Sequence, residues 1–347
     1  MTTYAIMLSP RHKRVYLDES ANMATNELEF TAQSRPHPIT DIRLEDIGGV
    51  PYILFSRGEA LTADELQLLS RLSFTHAIFR VHSTGADDIL LSPIPKNCDY
   101  FIDEDISAIL KYSGKTNELF TRLMINLAQA HMKATAPIRL LDPMAGKGTT
   151  LFEGLMQNMD VYGIEIDPKP AHEAFTYIKK HFEMARYKHV SHTQKVGGQA
   201  QDGKKIAATR YQVEMAHSKQ AKKEVGTRQF EIIAGDTRHA TAFYKKGFFN
   251  IIVADLPYGV QHSAKKKPQP AGFTRNALEL VKEAMPGWIR LLAPGGVVVL
   301  AWNLFLIKRE EMAAVFAEHG LMVQEGLDFS HRLDQATHRD LMVGVLR

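Results

Sequence analysis

The chain has 347 residues and one cysteine, so an intrachain disulfide framework is excluded. Apolar residues make up 45% and charged residues 23% of the sequence, which is typical of a folded globular protein and excludes disordered and collagen-like classes. The N-terminus lacks a signal-peptide pattern, and the most apolar run, residues 291–302, is too short to span a bilayer. We therefore expect a soluble cytoplasmic protein without a membrane partner.

The net charge of +3 is unevenly distributed along the chain. Residues 179–228 hold 12 Lys and Arg against 4 Asp and Glu, whereas the remainder holds 30 against 35. A basic segment on an otherwise acidic chain is typical of a surface that contacts a polyanion, and a solvated loop is the alternative. Four histidines in and near this segment lack metal-ligand spacing, so no metal is expected.

The sequence pattern predicts two domains, residues 1–113 and 114–347. In the first, residues 4–8 and 52–55 predict strands, and residues 22–30 and 61–74 predict helices. Thr62 is followed by Glu65 in the spacing of a capping box. We interpret this part as a smaller α+β domain without a visible catalytic motif, and we assign it a role in recruiting the substrate.

The second domain alternates short apolar strands with helical patterns. Strands are predicted over residues 138–141, 161–166, 230–234, 250–254, 297–302 and 340–346. Helices are predicted over residues 116–132, 149–158, 275–292 and 310–319, and a further helix follows the strand 161–166 and ends near residue 186. Such alternation predicts an α/β fold with a doubly wound, mostly parallel sheet, whose ligands bind beyond the carboxyl ends of the strands. Within a basic insertion at about 187–228, we predict a helix over residues 206–225 and a hinge at Gly197 and Gly198.

A glycine turn follows the first of these strands. Its sequence is Asp142-Pro143-Met144-Ala145-Gly146-Lys147-Gly148-Thr149. Glycines permit a tight turn and let a ligand approach the backbone, and the following helix offers free N–H groups. The spacing is not that of a P-loop, and Leu151 stands where the dinucleotide fingerprint has its third glycine.

The next two strands end in acidic residues. Glu165 and Asp167 follow the glycines by about 20 residues, where a carboxylate accepts hydrogen bonds from ribose hydroxyls. The third strand ends in Gly235-Asp236-Thr237, and a second carboxylate there suits an adenine amino group.

This order of turn, acid and acid resembles the class I S-adenosylmethionine-dependent methyltransferases, over residues 115–347. The resemblance implies S-adenosylmethionine as the cofactor and a seven-stranded Rossmann-like sheet that ends with an antiparallel strand at 340–346. It also implies that Glu165, or otherwise Asp167, holds the ribose and that Asp236 contacts the adenine. The expected cofactor-binding residues are Asp142, Pro143, Gly146, Gly148, Thr149, Glu165, Asp167, Asp236 and Thr237.

The fourth strand leads into Asp255-Leu256-Pro257-Tyr258-Gly259. This sequence resembles the Asp/Asn-Pro-Pro-Tyr motif of methyltransferases that act on exocyclic or amide nitrogens, except that Leu256 replaces the first proline. The resemblance implies that Asp255 and a backbone carbonyl near Leu256 or Pro257 accept the N–H bonds of the target amine, and that Tyr258 stacks on the base. We expect Asp255, Pro257 and Tyr258 to be catalytic.

The longer stretch from 254 to 267, together with residues 115–122, is similar to the THUMP-linked tRNA guanosine N2-methyltransferases, although no THUMP domain is matched in the N-terminal part. The resemblance implies methylation of guanosine N2 in RNA, with tRNA as the partner. The expected substrate-binding residues are Lys265, Lys266, Lys267, His331, Arg332 and Arg339.

Two alternative functions stay open at this point. Methylation of a DNA adenine or cytosine amine needs a sequence-reading domain, and none is visible. A catalytically inactive RNA-binding module that retains the cofactor is the other alternative, and the loss of the motif's first proline at Leu256 is the argument for it.

Overall fold

A computed structural model describes residues 1–9, 15–33, 38–83, 89–104, 106, 117–132, 137–199, 203, 205–257, 276–326 and 328–347. The chain forms two compact units, residues 1–99 with 325–338 and residues 100–324 with 339–347. The predicted boundary between 113 and 114 lies outside the described residues. The sequence pattern did not predict that residues 325–338 belong to the first unit.

The secondary structure follows in chain order. The first part contains β1 (Thr2–Leu8), α1 (Val15–Gln33), β2 (Thr40–Ile47), β3 (Val50–Arg57), α2 (Ala63–Arg71), β4 (Thr75–Ser83) and β5 (Ile89–Ile94). The middle contains α3 (Glu118–Ala130), β6 (Arg139–Asp142), α4 (Thr149–Met156), β7 (Asp160–Glu165), α5 (Pro168–Met184), β8 (Lys188–Gln199), β9 (Lys205–Ala216), α6 (Lys219–Glu224) and β10 (Arg228–Ala234). The last part contains a 3-10 helix (Thr237–Ala242), β11 (Phe249–Asp255), α7 (Ala277–Leu291), β12 (Leu292–Asn303), α8 (Arg309–Glu318), β13 (Leu321–Val323), β14 (His331–Arg332) and β15 (His338–Leu346).

The first unit is built on an antiparallel sheet in the order β2-β3-β1-β4-β5. Its core includes Tyr4 and Phe55, whose rings stack with centroids 5.4 Å apart. The predicted capping box of α2 is confirmed, because Thr62 accepts a hydrogen bond from the backbone N–H of Glu65 and Glu65 accepts one from that of Thr62.

The second unit is an α/β structure around a sheet in the order β13-β15-β12-β11-β6-β7-β10-β9-β8. The five strands from β12 to β10 are parallel, and β15 is antiparallel to β12. The central strands are buried on both faces, which explains their continuous apolar runs, such as residues 251–254. The sheet is wider than the seven predicted strands because a hairpin, β8–β9, extends its β10 edge.

The helix predicted over 206–225 is wrong, since most of this segment forms β9 and only Lys219–Glu224 is helical. Apolar residues alternate in β9, and Val213 and Met215 are buried while Tyr211 packs on Phe175 of α5 with ring centroids 5.1 Å apart. This period of two is typical of a strand with one covered face.

The predicted hinge at Gly197 and Gly198 is also wrong. Both glycines lie within β8, opposite Ala207 and Ile206 of β9. A Cβ on Gly198 would lie 2.8 Å from the Cβ of Ala242, so this glycine permits close packing. Over the described parts of the chain, no helix is long and apolar enough to cross a membrane.

Candidate functional site

Four acidic residues lie at the carboxyl ends of neighbouring parallel strands. Asp142 ends β6, Glu165 ends β7, Asp236 follows β10 by two residues, and Asp255 ends β11. Because these strands are adjacent in the order β11-β6-β7-β10, the side chains share one edge of the sheet. The predicted acidic edge is therefore present in the structure.

The glycine turn between β6 and α4 has the backbone conformation that glycine permits. Gly146 and Gly148 have φ of 52° and 87°, in the left-handed region. Gly148 is the N-cap of α4 and has no side chain to bond the first N–H groups of the helix. A Cβ on Gly146 would meet no atom within 4 Å, so the backbone there is open to a ligand.

Gly163 of β7 lies directly against this turn. A Cβ at this position would lie 2.8 Å from the Cβ of Ala145 and 2.8 Å from Cδ1 of Leu151. The turn is also fixed to β7 by a backbone hydrogen bond of 2.9 Å from the N–H of Ala145 to the carbonyl oxygen of Ile164. The close approach of the turn to the sheet therefore requires a glycine at 163.

Asp142 is buried at the start of the turn. Its Oδ1 accepts the backbone N–H of Met144 at 2.9 Å, and the Thr150 hydroxyl is a second hydrogen-bond partner. Burial raises the pKa of Asp142 to about 7 despite these bonds, and the charges of Glu165 and Asp255 contribute to the rise. Pro143 and Thr149 are buried beside it, in the turn and at the first position of α4.

The carboxylate of Glu165 joins the turn to the end of β7. Its Oε2 accepts the backbone N–H of Gly146 at 2.9 Å, and its Oε1 accepts that of Asp167 at 2.8 Å. Burial raises the pKa of Glu165, while these two bonds oppose the rise. A carboxylate has about four acceptor positions, so Glu165 retains capacity for further donors.

Asp167, Asp236 and Thr237 contribute to local structure. Asp167 accepts the backbone N–H of Lys169 at 2.9 Å and caps α5. Asp236 pairs with Arg238 at 2.5 Å; although burial acts in the opposite direction, the bonds and charge of Arg238 lower the pKa of Asp236. The Thr237 hydroxyl accepts the indole N–H of Trp288 at 2.9 Å, so it is used in packing against α7.

The motif after β11 is described only in part. Leu256 is buried, and its backbone N–H donates to the carbonyl oxygen of Ala301 at 2.8 Å. Pro257 is exposed, whereas Tyr258 lies outside the described residues, as do the three lysines at 265–267. The described part therefore places Asp255 and the start of the turn at the same edge as the glycine turn.

Two of the predicted substrate-binding residues are buried, which does not favour a direct contact of their side chains with phosphates. Arg339 is 3% exposed, and its Nη2 lies 3.4 Å from Oδ2 of Asp255. His331 is 2% exposed, and its Nδ1 lies 3.0 Å from the carbonyl oxygen of Phe329. Arg332 is exposed, and it lies with His331 in the first unit.

The sequence pattern missed Thr150 at this edge and gave Arg339 a different role. Thr150 follows Thr149 in the first turn of α4 and was overlooked, although a threonine hydroxyl can donate a hydrogen bond to a buried acid. Arg339 was assigned to the surface, although it lies in β15, whose residues 341–346 are an apolar run, and a charged residue in such a strand needs a buried partner. Across the described residues, no group of three or more His, Cys, Asp or Glu is arranged to hold a metal ion.

Comparison with known proteins gives one family match. The sequence model described as RMKL-like, methyltransferase domain, matches residues 111–302, which is more than half of the chain. No curated protein matches the chain. Solved structures similar to this chain include TYW2 of P. horikoshii in complex with MeSAdo (14% identity, 77% of this chain and 71% of that chain, TM-score 0.36) and YcgJ of Bacillus subtilis (14% identity, 65% of this chain and 97% of that chain, TM-score 0.37).

Proposed function

Because the chain belongs to the family of RMKL-like methyltransferase domains, we propose that it is an RNA methyltransferase acting on the exocyclic N2 amine of a guanosine, with tRNA as the substrate. Its cofactor is S-adenosylmethionine, the methyl donor of the class I methyltransferases. The observation that carries the proposal is the position of Asp255 at the end of β11, beside β6 and the glycine turn.

The residues at the acidic edge fit this cofactor. The open backbone at Gly146 and the first turn of α4 would hold its amino-acid end. The carboxylate of Glu165, fixed by two backbone N–H groups, would accept the ribose hydroxyls. Asp255 adds negative charge to the edge, and such charge stabilises a sulfonium cation. Asp236 would contact the adenine amino group.

When bound, the cofactor supplies a methyl group on a positively charged sulfur. The N2 amine of guanine is a weak nucleophile because its lone pair is delocalised into the ring. We assign Asp255 to accept one N–H of this amine and the backbone carbonyl at Leu256 or Pro257 to accept the other, which favours a pyramidal nitrogen with a localised lone pair. Tyr258 would stack on the base.

The choice of RNA is supported by the charge of the hairpin insertion. Exposed basic residues occur along β8, on α6 and next to them: Arg186, Lys188, Lys195, Lys205, Lys219, Lys222 and Lys223. Lys222 is paired with Glu214 at 3.0 Å. Basic side chains on an exposed extension of the sheet suit a phosphate backbone. Lys265, Lys266 and Lys267, close in sequence to Asp255, would contact phosphates near the target base.

The direct test is to incubate the purified chain with radiolabelled S-adenosylmethionine and, separately, unmodified tRNA, rRNA and DNA. Digestion of each product identifies the labelled nucleoside. The proposal expects label in N2-methylguanosine from tRNA. Label only in DNA, or in another nucleoside, would contradict it.

An Asp255→Ala variant separates an enzyme from an inactive RNA-binding module. We expect transfer to fall by about three orders of magnitude, because a positioned acceptor in the transition state is lost. RNA binding, measured by fluorescence anisotropy, should change by less than about threefold. Asp255 is largely buried, so it contributes little to the surface that binds RNA before the reaction. Equal, negligible transfer by both proteins with cofactor bound would favour the module.

A further inference from the structure

Arg339 lies against the carboxylate of Asp255. It is carried by β15, the strand antiparallel to β12, and its backbone is opposite Asn303. The Nη2 of Arg339 lies 3.4 Å from Oδ2 of Asp255, and the exposed fractions of the two side chains are 4% and 8%. Burial of a charge pair carries a large desolvation penalty, so its presence at a strand end indicates a role beyond stability.

The guanidinium of Arg339 is held from a second side. Its Cζ lies 4.5 Å from the ring centroid of Phe120 on α3, and Phe120 is fully buried. Stacking of a guanidinium on a buried aromatic ring restricts its orientation. The position of Arg339 is therefore fixed by β15 and α3, two elements other than β11, the strand that carries Asp255.

The acidic edge explains why a cation is needed at this place. Asp142, Glu165 and Asp255 end three neighbouring strands, and the charge of Asp255 acts on Asp142. Repulsion between ionised carboxylates favours their rotation away from one another. A fixed cation beside Asp255 offsets this repulsion and restricts rotation of its carboxylate.

We propose that Arg339 is a positioning residue for the methyl transfer: it fixes the carboxylate of Asp255 in the orientation that accepts an N–H of the substrate amine. This inference rests on the proposed function, because it takes Asp255 as the acceptor. Arg339 does not contact RNA phosphates in this proposal, and its effect passes through Asp255.

The test compares Arg339→Met and Arg339→Lys with a control, Arg309→Met, in which an arginine of α8 loses its ion pair with a residue of β15. Arg309→Met breaks the 2.5 Å pair between Arg309 and Asp340, a buried residue that is adjacent to Arg339 and on the opposite face of β15. Steady-state methylation of tRNA gives kcat and KM for each variant, and thermal unfolding gives the fraction folded.

We expect Arg339→Met to lower kcat about 30- to 100-fold, the effect of a misplaced catalytic group, with KM for RNA changed less than threefold. Arg339→Lys keeps the positive charge, and its kcat should be about tenfold higher than that of Arg339→Met. It should still be below that of wild type, because lysine lacks the planar guanidinium group. Arg309→Met should lose stability yet keep kcat within about twofold of wild type, since it touches no residue of the acidic edge.

A double-variant comparison tests whether the effect passes through Asp255. In an Asp255→Asn background, Arg339→Met should lower kcat by less than about threefold, because the charge attraction between the two side chains is already removed. An equal loss in both backgrounds overturns the proposal. So does a raised KM with unchanged kcat, which would indicate an RNA contact, or a loss of kcat that Arg309→Met reproduces.

The identity of the labelled nucleoside separates this result from the proposed function. If the wild type methylates an amine other than guanosine N2, the proposed substrate is wrong, and the kcat ratios measured on the observed substrate still decide the role of Arg339. If the wild type transfers methyl to none of the nucleic acids, both proposals are overturned.

Discussion

The backbone N–H of Leu256 donates a hydrogen bond of 2.8 Å to the carbonyl oxygen of Ala301. Leu256 stands where the related motif has a proline, which has no N–H to donate. The bond continues the pairing of β11 with β12 by one residue, and it holds the first residue of the turn against the sheet. Loss of the proline is therefore offset by a hydrogen bond and a buried side chain.

We expect Leu256→Pro to destabilise the fold by about 1–3 kcal/mol, because the buried carbonyl of Ala301 loses its donor. Urea unfolding followed by circular dichroism measures this difference. Leu256→Met is the matched control: it keeps the N–H and nearly the volume, and should cost less than about 1.5 kcal/mol. A Leu256→Pro variant as stable as wild type would contradict the role assigned to this bond.

Gly163→Ala should weaken cofactor binding about tenfold or more, because the added Cβ forces Ala145 and the glycine turn away from β7. Isothermal titration with S-adenosylmethionine measures the affinity. Gly154→Ala is the control: its Cβ would lie 2.9 Å from Cγ1 of Val161, so it crowds the same helix and sheet away from the turn. If both variants weaken binding equally, general overpacking rather than displacement of the turn is the cause.

The central strands and their acidic ends could be predicted because each signal is local. A buried strand is a short apolar run in the sequence, and an acidic residue at its end can be identified directly, as with Asp142 and Glu165. The hairpin could not be predicted in the same way. Residues 206–225 contain charged and small residues that also suit a helix, and the pairing of β9 with β10 that decides the outcome is a tertiary contact.

The role of Arg339 could not be predicted for a similar reason. Its partner, Asp255, is 84 positions away in the sequence, and only the antiparallel placement of β15 beside β12 brings the two together. A charged residue ordinarily faces solvent, so the sequence favoured a surface role. Burial reverses that interpretation.

The stability of the protein should fall as the pH rises from about 4 to about 7 through the contribution of Asp142. Burial raises the pKa of this acid from 3.8 to about 7, so over this range the folded state retains a proton that the unfolded state has lost. The contribution is complete below pH 4 and is lost above pH 7, with a size of roughly 4 kcal/mol. The comparison of wild type with Asp142→Asn isolates it.

Asp142→Asn keeps the acceptor for the N–H of Met144 but removes the titration. Urea unfolding of both proteins at pH 4, 5.5 and 7 should therefore show wild type losing stability relative to the variant as the pH rises. A difference that stays constant, or that changes in the opposite direction, would show that Asp142 is ionised in the folded protein throughout this range.

Replacement of Lys188, Lys219 and Lys223 by alanine should weaken RNA binding and its dependence on salt. These three exposed lysines lie on β8 and α6, and each phosphate contact that is lost should reduce the slope of log affinity against log salt by about 0.7–0.9. Fluorescence anisotropy with labelled tRNA measures both the affinity and its salt dependence, over a range of about 50 to 200 mM salt. Lys282→Ala, an exposed lysine of α7 near Glu279, is the control for loss of a positive charge elsewhere. An unchanged slope in the triple variant would mean that the hairpin insertion does not contact RNA, and its lysines would then be a solvated surface.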